Sequence, residues 1–298
     1  MSALPLITVI IPTFNRPSQL SVCLRCFLGQ SYPAGRWELV VVNDGGTPPW
    51  PSLPEDLSAR LPLRMIEGQH RGPGAARNLG VRHARGSLLA FTDDDCRVFP
   101  DWIAAWERGF SEGPWHALGG RTLIPSPGSL GTRSHHTLTN FLYEYMRFPN
   151  DDVYLVITNN AAYRREAFEG LGGFDETFAF ATEDRDLSHR LAASDRYRAG
   201  YWPAARVWHD HPLTAWQTLL LQFRYGQGDD DFRRALLRRG LPRNLGQRRR
   251  PQFYLALARA LWRDRQAPGV WILIGLSQLA HRVGSLSRRL LRPGKSGR

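Results

Sequence analysis

Along the first hundred residues the apolar positions follow two alternating patterns. Short, nearly continuous apolar runs occur at Leu6–Ile11, Trp37–Val42, Leu63–Ile66 and Leu88–Thr92. Between them, Leu20, Leu24, Phe27 and Leu28 recur at helical spacing within Gln19–Gln30, and Gly74–His83 is a small-residue stretch suited to a helix. Continuous apolar runs predict strands buried on both faces, and their alternation with helices predicts a mostly parallel sheet flanked by helices. Pro12 is expected to end the first strand, and Asn43–Gly46 is a turn signal that closes the second. The opening segment has neither a basic stretch nor a small-residue cleavage site, so it reads as a strand and not as a leader.

From about Trp115 to Pro212 the pattern is less regular. It predicts a loop at Pro125–Gly131, a helical stretch near Thr139–Phe148, a strand at Tyr154–Thr158, a glycine-rich turn at Gly170–Asp175 and a helix opening at Glu183-Asp184. After Leu213 the chain reads as helical and basic. Its apolar run Val270–Leu279 is well short of the ~20 residues that span a bilayer. With Arg282, Arg288, Arg289 and Arg292 following, that run fits an interfacial helix, and it fits a helix packed on the rest of the protein equally well.

Composition narrows the class. Of 298 residues, 42% are hydrophobic and 22% charged, which excludes a wholly disordered chain. The glycines have no three-residue period, and nothing repeats at intervals of about 20–50 residues. Three cysteines are too few for a disulfide scaffold and point to a reducing compartment. Cys23 and Cys26 stand alone as a CxxC on an expected helix, which favours a structural role.

Charge is distributed unevenly. Residues 1–204 carry 20 Arg against 22 acidic groups, whereas residues 205–298 carry 18 Arg and one Lys against five Asp. The whole net charge of +12 therefore comes from the C-terminal third. Such a segment suits an anionic partner such as membrane headgroups, a phosphorylated carrier or nucleic acid; an arginine-rich solvated surface is the plainer reading. No RNA-binding aromatic signature or zinc-finger spacing is present, so no nucleic-acid partner is expected.

The candidate chemistry gathers where strands end. Ligands on parallel sheets bind at the carboxyl ends of strands, and Asp44 and the run Asp93-Asp94-Asp95 both fall there. Three adjacent carboxylates are costly unless a cation or water compensates them, and an oxygen-rich turn suits Mg²⁺ or Mn²⁺ carrying a diphosphate. A polar capping loop would look similar. Glu183-Asp184 reads either as ordinary acidic charge in a first helical turn or as the source of a general base. His209-Asp210-His211 could add an imidazole to a metal or simply hydrogen-bond in a loop. Ten tryptophans offer faces that suit sugars, although most indoles serve packing.

Taken in order, these segments resemble the family 2 glycosyltransferases, which have the GT-A fold. The similarity covers roughly residues 6–212 and rests on four pieces: Val9–Arg16, Glu38–Gly45, Gly74–Gly80 followed by Phe91–Asp95, and Gly172–Asp175 followed by Glu183-Asp184. The resemblance implies a GT-A, Rossmann-like, mostly parallel sheet flanked by helices, with a basic helical extension at the C-terminus. Residues 1–115 would form the nucleotide-sugar half, 116–212 the acceptor half and 213–298 the extension. It further implies that Pro12, Thr13, Asp44, Arg71, Arg77, Asp93 and Asp94 meet the donor, with Asn78 supporting the pocket beside Arg77. Asp95 and His209 would hold the metal, Asp184 would act as base, and Glu183 would lie on the acceptor side. Cys96 and Gly46 depart from the usual pattern, where relatives often carry an acid and a serine.

The activity so implied is inverting, metal-dependent transfer of a sugar, of the hexosyl-transferring type, from a nucleoside-diphosphate sugar to an acceptor hydroxyl. UDP-sugars are favoured as donor, Mn²⁺ or Mg²⁺ as cofactor, and a glycan or lipid-linked acceptor in cell-surface glycan or glycolipid assembly. The expected location is the cytoplasm, with residues 265–298 offering contact to an anionic membrane at its inner face. Two alternatives stand beside it: a non-catalytic protein binding a nucleotide-sugar or an anionic carrier, and a nucleotidyltransferase. The second usually shows a glycine-rich basic loop after its first strand, where this chain has Pro12–Arg16.

Overall fold

All four apolar runs of the first hundred residues are strands: β1 (Ile7–Thr13), β2 (Trp37–Asn43), β3 (Leu63–Glu67) and β4 (Leu88–Thr92). Helices α1 (Pro17–Arg25), α2 (Glu55–Arg60) and α3 (Pro73–His83) alternate with them. The structure is a computed structural model that describes residues 4–46, 55–124, 128–146, 155–178, 181–209, 211–241 and 251–291. The loop Thr47–Pro54 and the tail from Arg292 onward lie outside the described residues. Further along come β5 (Cys96–Val98), α4 (Trp102–Glu112), β6 (Ala117–Leu123), α5 (Leu130–Tyr145), β7 (Asn160–Arg164), α6 (Arg165–Gly170), α7 (Glu183–Ala192) and β8 (Ala199–His209). The chain then continues as α8 (Ala215–Arg238), α9 (Pro251–Arg263) and α10 (Pro268–Leu291).

The eight strands form one sheet in the order β3-β2-β1-β4-β7-β6-β8-β5. The first four are mutually parallel, as is the pair β6–β8, while β7 and β5 run antiparallel to their neighbours. Successive residues of β1 point to opposite faces. Ile7, Val9 and Ile11 join Leu20 and Leu24 of α1 and Trp102 and Trp106 of α4, whereas Ile10 packs with Phe91, Phe168 and Leu187 on the other side. The small residues of α3 let it lie close on the sheet: a Cβ at Gly80 would come within 2.6 Å of the Ile10 side chain.

Four boundaries differ from expectation. Helix α1 stops at Arg25, before Phe27 and Leu28, because the chain tightens there into turns in which the Cys26 and Phe27 N–H groups donate to the Cys23 and Leu24 carbonyls. β1 runs through Pro12 to Thr13 because its ladder to β4 ends at Ile10, so the missing proline N–H interrupts only a one-sided pairing with β2. The helix expected near Thr139 begins nine residues earlier, at Leu130, where the Ser129 side chain caps it by accepting from the Thr132 N–H. The strand expected at Tyr154–Thr158 is not one: residues 155–158 are irregular and Tyr154 lies outside the described residues. There the Val156 N–H donates to Ser188 Oγ instead of to a neighbouring strand, and the true strand, β7, starts at Asn160.

The chain divides into two compact units. The first comprises Met1–Pro125, Phe148–Ala179 and Glu183–Asp210 and contains the whole sheet. The second, Ser126–Arg147, Phe180–Thr182 and His211–Arg298, holds α5, α8, α9 and α10. Its core is Leu138 and Phe141 of α5 with Phe253, Leu257 and Leu261 of α9 and Val270 and Ile274 of α10. Helix α8 opens with a capping box between Thr214 and Gln217. It crosses α10 very closely: a Cβ on Gly226 would run into the His281 carbonyl, and one on Gly284 into the Phe223 carbonyl. No helix among the described residues is long and apolar enough to cross a membrane.

Candidate active site

Because β1 and β4 are adjacent and parallel, their carboxyl ends emerge side by side. Thr13, the last residue of β1, donates its hydroxyl to Asp94 Oδ2 at 2.7 Å. Arg16, one turn beyond, reaches Asp94 Oδ1 at 3.3 Å and Asp95 Oδ2 at 3.2 Å. Burial, the largest effect, pushes the Asp94 carboxyl up to about 6; the Thr13 hydroxyl and Arg16 pull it down, and Asp95 adds to the rise.

The third carboxylate of the run meets a histidine from far along the chain. β5 follows the acidic turn directly and pairs antiparallel with the end of β8, setting Cys96 opposite His209. His209 Nε2 consequently lies 3.2 Å from Asp95 Oδ1, while its Nδ1 is 3.4 Å from the Asn159 side-chain nitrogen. Two ligands bound at right angles to one ion with ~2.1 Å bonds are about 3.0 Å apart, so this carboxylate and imidazole fit a shared divalent metal. Cys96 is buried among apolar residues of the core, a place where an acid would be left without water. Asp210 lies outside the described residues, and His211 belongs to the helical unit.

Arg77 of α3 links the acidic turn to α7. Its guanidinium is buried and bonds Asp93 Oδ1 and Glu183 Oε1, both at 2.7 Å. Burial alone would lower its pKa, but Asp93 and Glu183 outweigh that and raise it, so the charge is firmly held. Glu183 is pushed up by burial, against the pull of Arg77 and with a further push from Asp184, and its Oε2 has no hydrogen-bond partner. Gly74 is the residue that admits this arrangement, since a Cβ there would sit 3.3 Å from the Glu183 side chain. Asp184 follows half-buried, with Oδ1 accepting from the Arg185 N–H at 2.7 Å.

Asn78, beside Arg77, clamps the glycine-rich turn. Its Nδ2 donates to the Phe174 carbonyl at 2.8 Å and its Oδ1 accepts from the Phe174 N–H at 3.0 Å. Gly173 takes a left-handed φ of +66° there, and a side chain would crowd Asn78 Oδ1.

Asp44, at the end of β2, is buried and already engaged: its two carboxylate oxygens accept from the Arg71 and Gly72 N–H groups at 2.9 and 2.8 Å. That contact shapes the loop entering α3. The Arg71 side chain turns to Glu176, 3.1 Å away. Pro12 is half-buried beside Thr13. Thr13, Asp94, Asp95 and His209 are thus linked through Arg16, and Asp93 and Glu183 through Arg77, the two sets meeting at consecutive residues of the acidic turn, while Asp44 and Arg71 form a second group around the 70–72 loop. Three participants had no role from the sequence: Arg16, Asn159, and the Phe14–His70 stack, whose rings lie 4.1 Å apart next to Asp44. For Arg16 a signal existed, a basic residue just past a strand end facing an acidic run.

Residues 8–172 match the profile of a family described as Glycosyl transferase family 2. The chain belongs to that family. The match ends before Glu183, Asp184 and His209, which lie beyond its last residue. Among curated relatives, Glycosyltransferase AglE of Haloferax volcanii is 28% identical over 236 residues, covering 76% of this chain and 74% of that protein. Pre-mycofactocin glycosyltransferase of Mycobacterium tuberculosis is 29% identical over 211 residues, covering 69% of this chain but only 43% of that protein. Among solved structures, the mannosyltransferase PcManGT of Pyrobaculum calidifontis, in complex with GDP-Man and Mn²⁺, aligns with a TM-score of 0.65 at 21% identity, covering 98% of this chain and 89% of that one. S. aureus TarS 1–349 in complex with UDP aligns with a TM-score of 0.54 at 16% identity, covering 96% and 91%. The fold is GT-A, and this family 2 member is a glycosyltransferase.

Proposed function

We propose that this glycosyltransferase moves a sugar from a nucleoside-diphosphate donor to an acceptor hydroxyl, with inversion, using a divalent metal held by Asp95 and His209. The observation that carries the reading is the meeting of Asp95 with His209 at the sheet's carboxyl end, joined through Asp93 and Arg77 to the helix that bears Asp184. A bound Mn²⁺ or Mg²⁺ would supply positive charge for the departing diphosphate.

The remaining work falls to the chain itself. Thr13 and Arg16 hold Asp94 and keep the acidic turn in one conformation toward the donor. Arg77 fixes Asp93 relative to α7 and balances the charge of Glu183. Asp184, the half-buried member of the pair, takes the proton from the acceptor hydroxyl as that oxygen attacks the anomeric carbon. One displacement leaves the sugar inverted, so one positioned carboxylate suffices as base. Asp44, with Pro12, Thr13 and Arg71 nearby in sequence or space, forms the nucleoside side. GDP-mannose in one structural neighbour and UDP in another support a nucleoside diphosphate as donor; among them UDP is our choice. The acceptor we assign is a glycan or lipid-linked chain, reached at the inner face of a membrane.

The test is a melting panel of UDP, GDP, TDP and CDP, each with Mn²⁺, Mg²⁺ or EDTA. A nucleotide at 100 times its dissociation constant stabilises the native state by about 2.7 kcal/mol. One nucleotide raising the melting temperature only with metal is the expected result. No shift with any nucleotide, in a folded sample, overturns the proposal and leaves a non-catalytic role.

A further inference from the structure

Helices α9 and α10 are apolar on two sides. On α10 the inner side, Val270, Leu273, Ile274 and Ser277, is buried. On its outer side Ile272, Leu276, Leu279, Val283 and Leu286 are all exposed, Ile272 by 64% and Leu279 by 58%. At 3.6 residues per turn these five fall within an arc of roughly 80° and extend over about 21 Å. Helix α9 repeats the arrangement: Phe253, Leu257 and Leu261 face inward, while Leu255 and Trp262, the latter 80% exposed, lie one heptad apart on the outside with Arg259 between them. A helix with a second apolar stripe has a second partner.

We infer that the outer faces of α9 and α10 are a docking surface for an anionic lipid bilayer. The proposal goes beyond sugar transfer and uses none of the residues assigned to it. Charge selects the occupant. Residues 251–298 contain eight Arg and one Lys against a single acid, Asp264. Arg263 pairs with Glu144 and Asp264 and Arg288 with Asp231, which leaves Arg259, Arg265 and Arg282 as the exposed cations of the described part of this segment. A second copy of the same surface would bring two such arrays together, whereas anionic headgroups neutralise one. The side-chain types agree: an exposed Trp suits the interface between headgroups and acyl chains, and arginines can bury their stems while their heads reach phosphates. The apolar row lies along the helix surface and α10 does not qualify as a membrane span, so the fit is to lying on a bilayer and not crossing it.

The experiment is cosedimentation of the full chain with phosphatidylcholine vesicles, with and without phosphatidylglycerol, at low and high salt. Binding to the anionic vesicles should exceed binding to neutral ones and fall with salt. The double substitution Leu279→Gln, Val283→Gln should weaken it about tenfold or more, as expected when apolar contact and charge act together. Its nucleotide-induced melting shift, measured without vesicles, should stay unchanged, which separates failure of this proposal from failure of the transferase reading. If the double variant melts lower than the parent, quenching of the Trp262 fluorescence component by brominated anionic lipid, read as the difference between parent and Trp262→Gln, decides instead. Equal sedimentation with and without anionic vesicles overturns the proposal. So does vesicle binding that survives the substitutions in a folded variant, the absence of any Trp262 quenching, or a concentration-dependent dimer that the substitutions abolish while no vesicle binding is seen.

Discussion

Replacing Arg77 with methionine removes one buried cation from between two carboxylates while keeping most of the side-chain volume. Glu183 is then left nearly inaccessible to solvent, with neither oxygen paired. Asp93 is 29% exposed at its side chain, so water can compensate it and its share of the loss is smaller. Removing one partner from a buried pair costs about 3–5 kcal/mol. For a domain of 150–250 residues that corresponds to a fall in melting temperature of roughly 6–20 °C. The loss should depend on pH with a definite sign. Burial raises the Glu183 carboxyl, and without Arg77 it rises further. A carboxyl raised in the folded state favours folding below its unfolded pKa and ceases to do so as pH climbs through the folded one. The deficit of Arg77→Met should therefore be largest near pH 8 and shrink toward pH 5, where Glu183 takes up a proton. Adding Glu183→Gln to the variant should restore most of the stability at pH 8. Calorimetric or fluorescence melts of the four proteins at both pH values make the cycle. A variant melting within about 2 °C of the parent at pH 8, or a deficit equal at both pH values, would mean that Glu183 does not depend on Arg77 for its charge.

Other perturbations bear on the same architecture. Asp184→Asn should leave the nucleotide melting shift intact and lower sugar transfer by about 10²–10⁴; turnover within about tenfold of the parent would place the base elsewhere. His209→Ala should fold normally yet lose the metal dependence of the nucleotide shift, and an unchanged Mn²⁺ response would remove His209 from the metal site. Asn78→Ala unpairs both polar groups of the Phe174 backbone and should cost about 2 kcal/mol in urea unfolding. Gly284→Ala forces α10 off α8 at the Phe223 carbonyl and should destabilise the helical unit by about 1–3 kcal/mol; a melt unchanged from the parent would contradict that close crossing.

The first four strands were legible because each is an uninterrupted apolar run, the signature of burial on both faces. The later strands carry no such signature. β6 contains Gly119-Gly120, and a Cβ at Gly120 would collide with the Asn160 side chain, while β8 contains Pro203 at a register shift between Gly120 and Arg121 of its neighbour. Those residues are chosen by a side chain filling the sheet and by a bulge, neither of which alternation or run length reports. In the site, the acidic run and Asp44 announced themselves by following strands. The Arg77–Glu183 pair did not, because its members stand 106 positions apart and each has an ordinary local reading. Likewise Asp44 reads as an open acceptor in sequence, but its oxygens already hold the backbone of the 70–72 loop.

The position of β8 between β6 and β5 also dictates an order of events during synthesis. Asp95 leaves the ribosome 114 residues ahead of His209. At about 5–20 residues per second that is an interval of roughly 6–23 s. Until β8 arrives, β5 has no strand to pair with, and the carboxylate run stands without its imidazole. A nascent chain released anywhere in that interval carries the four-stranded parallel half of the sheet and an acidic turn, but not the Asp95–His209 pair. On the proposed metal site, affinity for the ion would be acquired in a single late step, and would report that the last strand has been inserted.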